Sequence, residues 1–299
     1  MKPSTKLRRL LDNGGAVVVP GVDDPLGAKM ARELGFEAVY VGSYSASATM
    51  LGQPDAGFVT QTEMVQRIRY ITDAVPDLIV FGDGEHGFGG PLNLKRTINS
   101  YERAGASAIQ FNDTSQIESR CPFIGLPDTA ALPLEEMLAK IRFANQVRAD
   151  PDFLIYTPAK GETTAERIER ARAYLKAGAG SVFATWKTKK DLREFADGLK
   201  DLGRPLKSSC YPFAPEHPSV RELTEMGYQI IFFVLHPLYV AAQAVWDLLK
   251  ELRETGNVTA SLQRAIPHER LLAVLGIEDV KRDGFEHLAM EAEVAHRSQ

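Results

Sequence analysis

Eight short runs of apolar and β-branched residues lie at 16–20, 38–43, 77–82, 106–111, 152–156, 181–185, 205–209 and 229–235. Near-continuous apolar runs, as opposed to alternating ones, mark strands buried on both faces, which is what a parallel sheet requires. Between the runs the period changes to that of a helix. Met64, Ile68, Ile71 and Thr72 share one face, as do Ile98, Tyr101 and Ala104; Leu134, Met137, Ile141 and Ala144; and Ile168, Ala171 and Leu175. Thr60-Gln61-Thr62-Glu63 has the form of a capping box. Gly35, Gly105, Gly178 and Gly227 each stand after a helical stretch and before a strand, where a left-handed C-cap is wanted. One β–α unit is therefore used repeatedly, and eight such units match a closed barrel in number. An open doubly wound sheet is the competing architecture, but no Gly-rich dinucleotide fingerprint follows the first strand. The expected fold is α/β, a (β/α)8 TIM-type barrel over residues 1–255. A C-terminal helical extension over 256–299 follows, with helices at 266–275 and 278–295.

The chain has 299 residues and a net charge of −4, with no basic stripe able to neutralise phosphates, so nucleic acid is not an expected partner. The Lys187–Lys190 stretch reads as a solvated helix face. Two cysteines, Cys121 and Cys210, do not make a disulfide scaffold and suit a reducing compartment. Residues 1–11 lack the apolar segment of a signal peptide, and the most apolar run, 230–235, is far too short to span a bilayer. A cytoplasmic protein without membrane partners is expected.

Barrel enzymes build their sites at the C-terminal ends of the strands. Here those ends carry Gly42-Ser43-Tyr44-Ser45, Asp83-Gly84-Glu85-His86-Gly87, Asn112-Asp113, Tyr156-Thr157, Thr185-Trp186-Lys187, Ser208-Ser209-Cys210-Tyr211 and His236. The segment after the third strand, Asp83-Gly84-Glu85-His86-Gly87, is the sharpest signal. Two carboxylates this close repel unless a cation or proton lies between them, and oxygen ligands suit Mg²⁺ or Mn²⁺. A solvated polar loop is the alternative. His86 is a candidate general base or ligand, against a bystander role. Cys121 lies in a long segment, 114–133, whose length suits a mobile lid. Arg120 beside it would lower its pKa; the alternative is a small residue buried under the loop.

These residues carry a resemblance that covers nearly the whole barrel. The chain resembles the isocitrate lyase / phosphoenolpyruvate mutase superfamily, most nearly its methylisocitrate lyase-like members. The resemblance rests on Gly35-Phe36-Glu37-Ala38-Val39-Tyr40-Val41, Leu51-Gly52-Gln53-Pro54-Asp55, Thr62-Glu63-Met64 and Asp83-x-Glu85-x-Gly87-Phe88-Gly89-Gly90-Pro91-Leu92-Asn93. It continues through Glu102-Arg103-Ala104-Gly105, the Cys121 segment, Glu135-Glu136-Met137-Leu138-Ala139-Lys140-Ile141 and Asp150-Pro151-Asp152-Phe153.

The resemblance implies metal-binding roles for Asp83, Glu85 and Asp55, with Mg²⁺ (or Mn²⁺) as cofactor. It implies substrate contacts near Ser43, Tyr44 and Ser45, and places the lyases' acid/base cysteine on Cys121; His86 is the second candidate proton carrier. The chain also departs from the family pattern. The second metal aspartate is Glu85, and the glutamate after strand four is Asn112. The substrate-binding arginine after strand five falls at Thr157, and the cysteine segment lacks the usual Gly-His. Asn112 and Thr157 are then substrate-side positions, and a substrate carboxylate needs another partner among Lys160, Lys187 and Arg120.

The implied activity is that of a carbon–carbon lyase on a small 2-hydroxy or 2-oxo carboxylic acid, through a metal-stabilised enolate-like intermediate. Phosphonate mutase or hydrolase chemistry and oxo-acid decarboxylation are alternatives. So is a divergent barrel that has lost the usual metal site, since a fold does not fix a function. Apolar residues continue past the barrel at Leu271, Leu272, Val274, Leu275, Val280, Phe285 and Leu288. They point to a homo-oligomer, a homotetramer in which these helices are exchanged between subunits, as the resemblance also implies.

Overall fold

A computed structural model describes residues 1–114, 121, 123–125 and 129–297. Helix α1 (Pro3–Asp12) leads into strand β1 (Val17–Pro20), and α2 (Pro25–Glu33) into β2 (Ala38–Val41). The short α3 (Ser43–Ala46) and α4 (Gln61–Ala74) precede β3 (Ile79–Asp83), and α5 (Pro91–Arg103) precedes β4 (Ala108–Gln110). Then α6 (Leu134–Val147), β5 (Leu154–Pro158), α7 (Thr164–Lys176), β6 (Ser181–Phe183), α8 (Lys189–Asp197), β7 (Leu206–Cys210), α9 (Val220–Glu225) and β8 (Tyr228–Phe233) follow in turn. After α10 (His236–Thr255) come α11 (Thr259–Leu262), α12 (His268–Leu275) and α13 (Ile277–Arg297). All eight expected strands form.

The strands pair in parallel in the order β1-β8-β7-β6-β5-β4-β3-β2. The ring closes through a bridge between Gly21 and Tyr40, where Val22 N donates to the Tyr40 carbonyl at 2.9 Å. Only glycine fits at Gly21, since a Cβ there would lie 1.8 Å from the Val234 carbonyl oxygen. The barrel interior is filled by Val19, Tyr40, Phe81, Tyr156, Phe183 and Phe232, with Phe81 edge-on to both Tyr156 and Phe232. Leu7 and Leu11 of α1 pack into the same cluster, and Gln229 ties the Leu11 and Gly15 carbonyls to β8. That packing leaves the C-terminal ends of the strands as the open face.

The helix boundaries follow the local rules. Thr60 and Glu63 complete a capping box on α4, and Thr163, Thr188 and Ser219 start α7, α8 and α9 in the same way. Gly35, Gly105, Gly178 and Gly227 all take positive φ. His236 is the first residue of α10, where a strand end was expected.

The structure falls into two compact units, Met1–Ala241 and Ala242–Gln299, so the division lies inside α10, not after it. The first unit holds the barrel. In the second, Trp246, Leu249, Val280, Phe285 and Leu288 are all exposed.

Outside the barrel a buried ion pair joins the β4 loop to α7. Asp113 is fully buried and accepts two hydrogen bonds from Arg170 Nη2 at 3.0 and 3.1 Å, and one from the Tyr174 hydroxyl. The Lys160 backbone N–H reaches the same carboxylate at 3.3 Å. Removing one partner of such a pair leaves an uncompensated buried charge. Asp113→Ala is therefore expected to lower unfolding stability by about 3–5 kcal/mol, read as a lower urea midpoint at unchanged slope. A midpoint within error of wild type would rule out the pair as a structural tie.

Candidate active site

A cavity opens among the C-terminal ends of the strands. Ser43, Tyr44, Ser45, Asp55, Asp83, Glu85, Asn112 and Cys121, all singled out from the sequence, line it. Asp83 ends β3 and stands at the centre of its hydrogen bonds. Its Oδ2 accepts from the Tyr40 hydroxyl at 2.9 Å, from Ser43 Oγ at 3.0 Å and from Ser43 N at 3.4 Å. Its Oδ1 takes the Glu85 N–H at 3.0 Å. Ser43 begins α3, which is why its N–H is available to an anion. Its hydroxyl also lies 3.4 Å from Asp55 Oδ2.

Glu85 adopts a left-handed backbone, φ 49°, with no glycine to make that easy. Strain of this kind persists only where the surroundings enforce it, and it concentrates at functional sites. Here Asn112 enforces it: its N–H donates to the Glu85 carbonyl at 2.6 Å, and its Nδ2 to Glu85 Oε2 at 3.2 Å. Gln110 Nε2 in turn fixes Asn112 Oδ1 at 3.0 Å.

Three carboxylates thus face one cavity. Burial, and then repulsion from Asp83, push Asp55 up to about 7, although hydrogen bonds from Ser43 and Cys121 oppose the shift. Cys121 is anchored by its N–H to the Asp55 carbonyl at 3.0 Å. Burial, and then the Asp55 carboxylate, push its thiol well above the ordinary range. The reactive thiolate expected from a neighbouring Arg120 is therefore not what the environment favours: burial and the Asp55 carboxylate hold the group as a thiol. Arg120 itself, and most of the expected lid over 114–133, lie outside the described residues.

Two expected site residues are not brought to this cavity. Thr157 is fully buried, and its hydroxyl points to the Pro158 carbonyl. Pro158, the next residue of the strand, lines the cavity instead, because successive side chains on a strand face opposite ways, and Ala159 and Lys160 beyond the strand end line it too. His86 lies on a separate cavity with Glu136, Lys140 and Phe143. Burial and then the Lys140 charge lower its pKa. Lys187 is not a lining residue, whereas Lys160 and Arg167 are.

Sequence reasoning missed Tyr40, Gln110 and Lys207, which also line the cavity. All three sit inside strands and not after them. A lysine within the buried run 205–209 was the one available signal. The mouth is aromatic: Phe123 packs on Tyr211 and Phe213 with ring centroids 4.6 and 5.1 Å apart, and the Tyr44 and Tyr239 hydroxyls meet at 3.3 Å.

The donor set can be tested against a divalent cation. Among the described residues, no three His, Cys, Asp or Glu side chains form a ready-made cage. Mg²⁺ does not need one, since it keeps several waters and takes one or two carboxylates directly. Asp83 Oδ1 has a lone pair beyond the one given to Glu85 N–H, and Asp55 and Glu85 flank the same space, so the residues present fit a hydrated divalent ion.

A family model described as phosphoenolpyruvate phosphomutase matches residues 7–253. The chain is 32% identical over 288 residues to the 2,3-dimethylmalate lyase of Eubacterium barkeri, covering 94% of this chain and 96% of that one. It is 32% identical over 285 residues to the 2-methylisocitrate lyase of Aeropyrum pernix, covering 94% and 90%. The solved structure of oxaloacetate acetylhydrolase with the inhibitor 3,3-difluorooxalacetate superposes with a TM-score of 0.86 at 27% identity, over 96% of this chain and 97% of that one. With the matching barrel and strand-end residues, these likenesses settle the ancestry: the chain belongs to the phosphoenolpyruvate phosphomutase family.

Proposed function

We propose that the chain is a lyase that cleaves a carbon–carbon bond in a small 2-hydroxy or 2-oxo carboxylic acid, through an enolate-like intermediate. The observation that carries this reading is the meeting of three carboxylates, Asp83, Asp55 and Glu85, with a protonated thiol, Cys121, in one cavity. Relatives named as lyases of such acids match 94% of this chain at 32% identity.

A divalent ion, Mg²⁺ or Mn²⁺, bound by Asp83 and through water by Asp55 and Glu85, would supply Lewis-acid stabilisation of the developing enolate charge. The chain's own groups do the rest. The Ser43 N–H and hydroxyl, with Tyr44, Ser45 and Asn112, orient the substrate's oxygens. When the bond breaks, the hydroxyl proton of a 2-hydroxy acid leaves to the Asp55 carboxylate, and the Cys121 thiol protonates the carbon set free. The Asp55–Cys121 hydrogen bond then returns the proton to sulfur, so the site ends as it began. The aromatic mouth limits water, which would otherwise quench the carbanion. Turnover of 2,3-dimethylmalate, 2-methylisocitrate or oxaloacetate in D₂O, followed by NMR, should place one deuterium on the carbon released. If none of the three acids is cleaved, the proposal fails.

Two free cysteines, Cys121 and Cys210, support a cytoplasmic setting, and among the described residues no helix is long and apolar enough to cross a membrane. We also assign a homotetramer with exchanged C-terminal helices, because Phe285 is 69% and Leu288 59% exposed on α13. The double substitution Phe285→Glu with Leu288→Glu is expected to reduce the sedimentation coefficient to that of a smaller species. A wild-type chain that sediments as a monomer, or a variant with the wild-type coefficient, would contradict this assembly.

A further inference from the structure

The cavity floor carries a charge that the proposed chemistry has not used. Lys207 lies on β7, one residue after a register shift against β8 between Leu206 and Lys207. Shifts of this kind re-aim a side chain. From there Lys207, Ser209 and Tyr211 alternate onto the barrel's inner face, and all three line the cavity. Lys207 pairs with Ile230 and Ser209 with Phe232, both packed in the barrel interior.

The Lys207 ammonium is held in an aromatic cage. Nζ is 3.4 Å from the Phe183 ring centroid, 4.4 Å from that of Phe232 and 5.5 Å from that of Tyr156. Its hydrogen bond goes to the Ser209 hydroxyl at 2.7 Å, and the residue is only 2% exposed. Ring faces attract a cation but cannot replace a counter-ion. No described carboxylate comes within ion-pair distance of Nζ. The cavity's other cations are already committed to the wall. Lys160 Nζ donates to the Thr129 carbonyl at 2.8 Å and to its hydroxyl at 3.0 Å. Arg167 donates to the Gly161 and Thr185 carbonyls at 2.9 and 3.2 Å.

An unpaired ammonium buried on a cavity floor destabilises the fold unless it serves a ligand. Asp55, Asp83 and Glu85 repel an incoming acid, and Lys160 and Arg167 already donate to acceptors of the wall, so Lys207 is the cation placed to receive a substrate carboxylate. We propose that Lys207 and the Ser209 hydroxyl form a carboxylate-binding subsite on the barrel floor, where a substrate carboxylate supplies the counter-ion that the chain omits. This rests on the reading that the substrate is a carboxylic acid. It identifies the partner left open by Thr157, where the family places an arginine, and puts it on β7 in place of Lys160, Lys187 or Arg120. Burial pushes the Lys207 ammonium well below the usual lysine range, against the pull of Asp83, and a bound carboxylate would favour the charged form further.

The test uses the full-length protein with oxalate as the probe, at fixed Mg²⁺. Lys207→Met, a near-isosteric apolar replacement, is expected to weaken oxalate binding by roughly 100-fold in calorimetry. Without ligand it should melt higher than wild type, because an uncompensated charge has gone. A lysine with a structural role would instead melt lower on substitution, and that outcome overturns the subsite, as does unchanged oxalate affinity. A crystal structure of the wild-type protein with oxalate gives a reading free of any variant. An oxalate oxygen within hydrogen-bond distance of Lys207 Nζ is expected, and oxalate held only by Lys160 or Arg167 overturns the proposal. The two readings fail separately. Oxalate on Lys207 in a protein that cleaves no 2-oxo acid keeps the subsite and removes the lyase, whereas cleavage with Lys207 uninvolved does the reverse.

Discussion

Asp83→Ala is expected to lower kcat/KM by roughly 1000-fold or more. A divalent ion contributes several kcal/mol of charge stabilisation in such a transition state, and each ~1.4 kcal/mol is a factor of ten. Asp83 is the residue on which the site converges: Tyr40, Ser43 and the Glu85 N–H all aim at its carboxylate. The variant should still fold. It leaves the Tyr40 hydroxyl short of an acceptor, while Ser43 keeps Asp55, and it removes the repulsion that adds to burial in lifting Asp55, so these effects oppose each other. Its thermal midpoint should stay within a few degrees of wild type while Mg²⁺ binding in calorimetry disappears. Activity retained in Asp83→Ala would remove the metal from the mechanism.

Cys121→Ser is expected to lower kcat by about 10²–10⁴-fold, the usual contribution of a positioned acid, with a much smaller effect on KM. Serine preserves the anchoring of its backbone N–H to the Asp55 carbonyl, but its hydroxyl is a far weaker acid than a thiol. The carbon–carbon bond should therefore still break while protonation of the product carbon becomes slow. Rapid-quench experiments should then show the carbonyl fragment forming ahead of the protonated one. Wild-type kcat in this variant would assign the proton to another group.

Much of this was legible in the sequence, for identifiable reasons. The barrel strands are buried on both faces, so each appeared as an unbroken apolar run, and their number set the fold. The glycines at 35, 105, 178 and 227 marked helix ends because they hold positive φ there. Asp83, Glu85, Asp55 and Cys121 were found because they follow strands or sit in named motifs.

The misreadings concern what a sequence hides in three dimensions. Continuous apolar runs hide which residues of a strand face inward, so Tyr40 and Gln110 gave no sign as cavity residues, Lys207 gave one only as a lysine in a buried run, and Thr157 was placed on the wrong side of β5. His86 was misplaced for a related reason. The left-handed turn at Glu85 is enforced by Asn112 from the loop after β4, and no local pattern announces it. The Cys121 environment was misjudged because a neighbour in sequence, Arg120, was weighed while the buried Asp55, distant in sequence, was not.

The central claim is that this cavity cleaves a small carboxylic acid with the help of a divalent ion. The most direct measurement is turnover of 2,3-dimethylmalate, 2-methylisocitrate and oxaloacetate by protein stripped with EDTA and then titrated with Mg²⁺ or Mn²⁺. Cleavage of at least one acid that is absent after stripping and rises saturably with added metal is the predicted result. Cleavage at full rate in excess EDTA would contradict the metal's role, and no cleavage at any metal concentration would contradict the lyase itself.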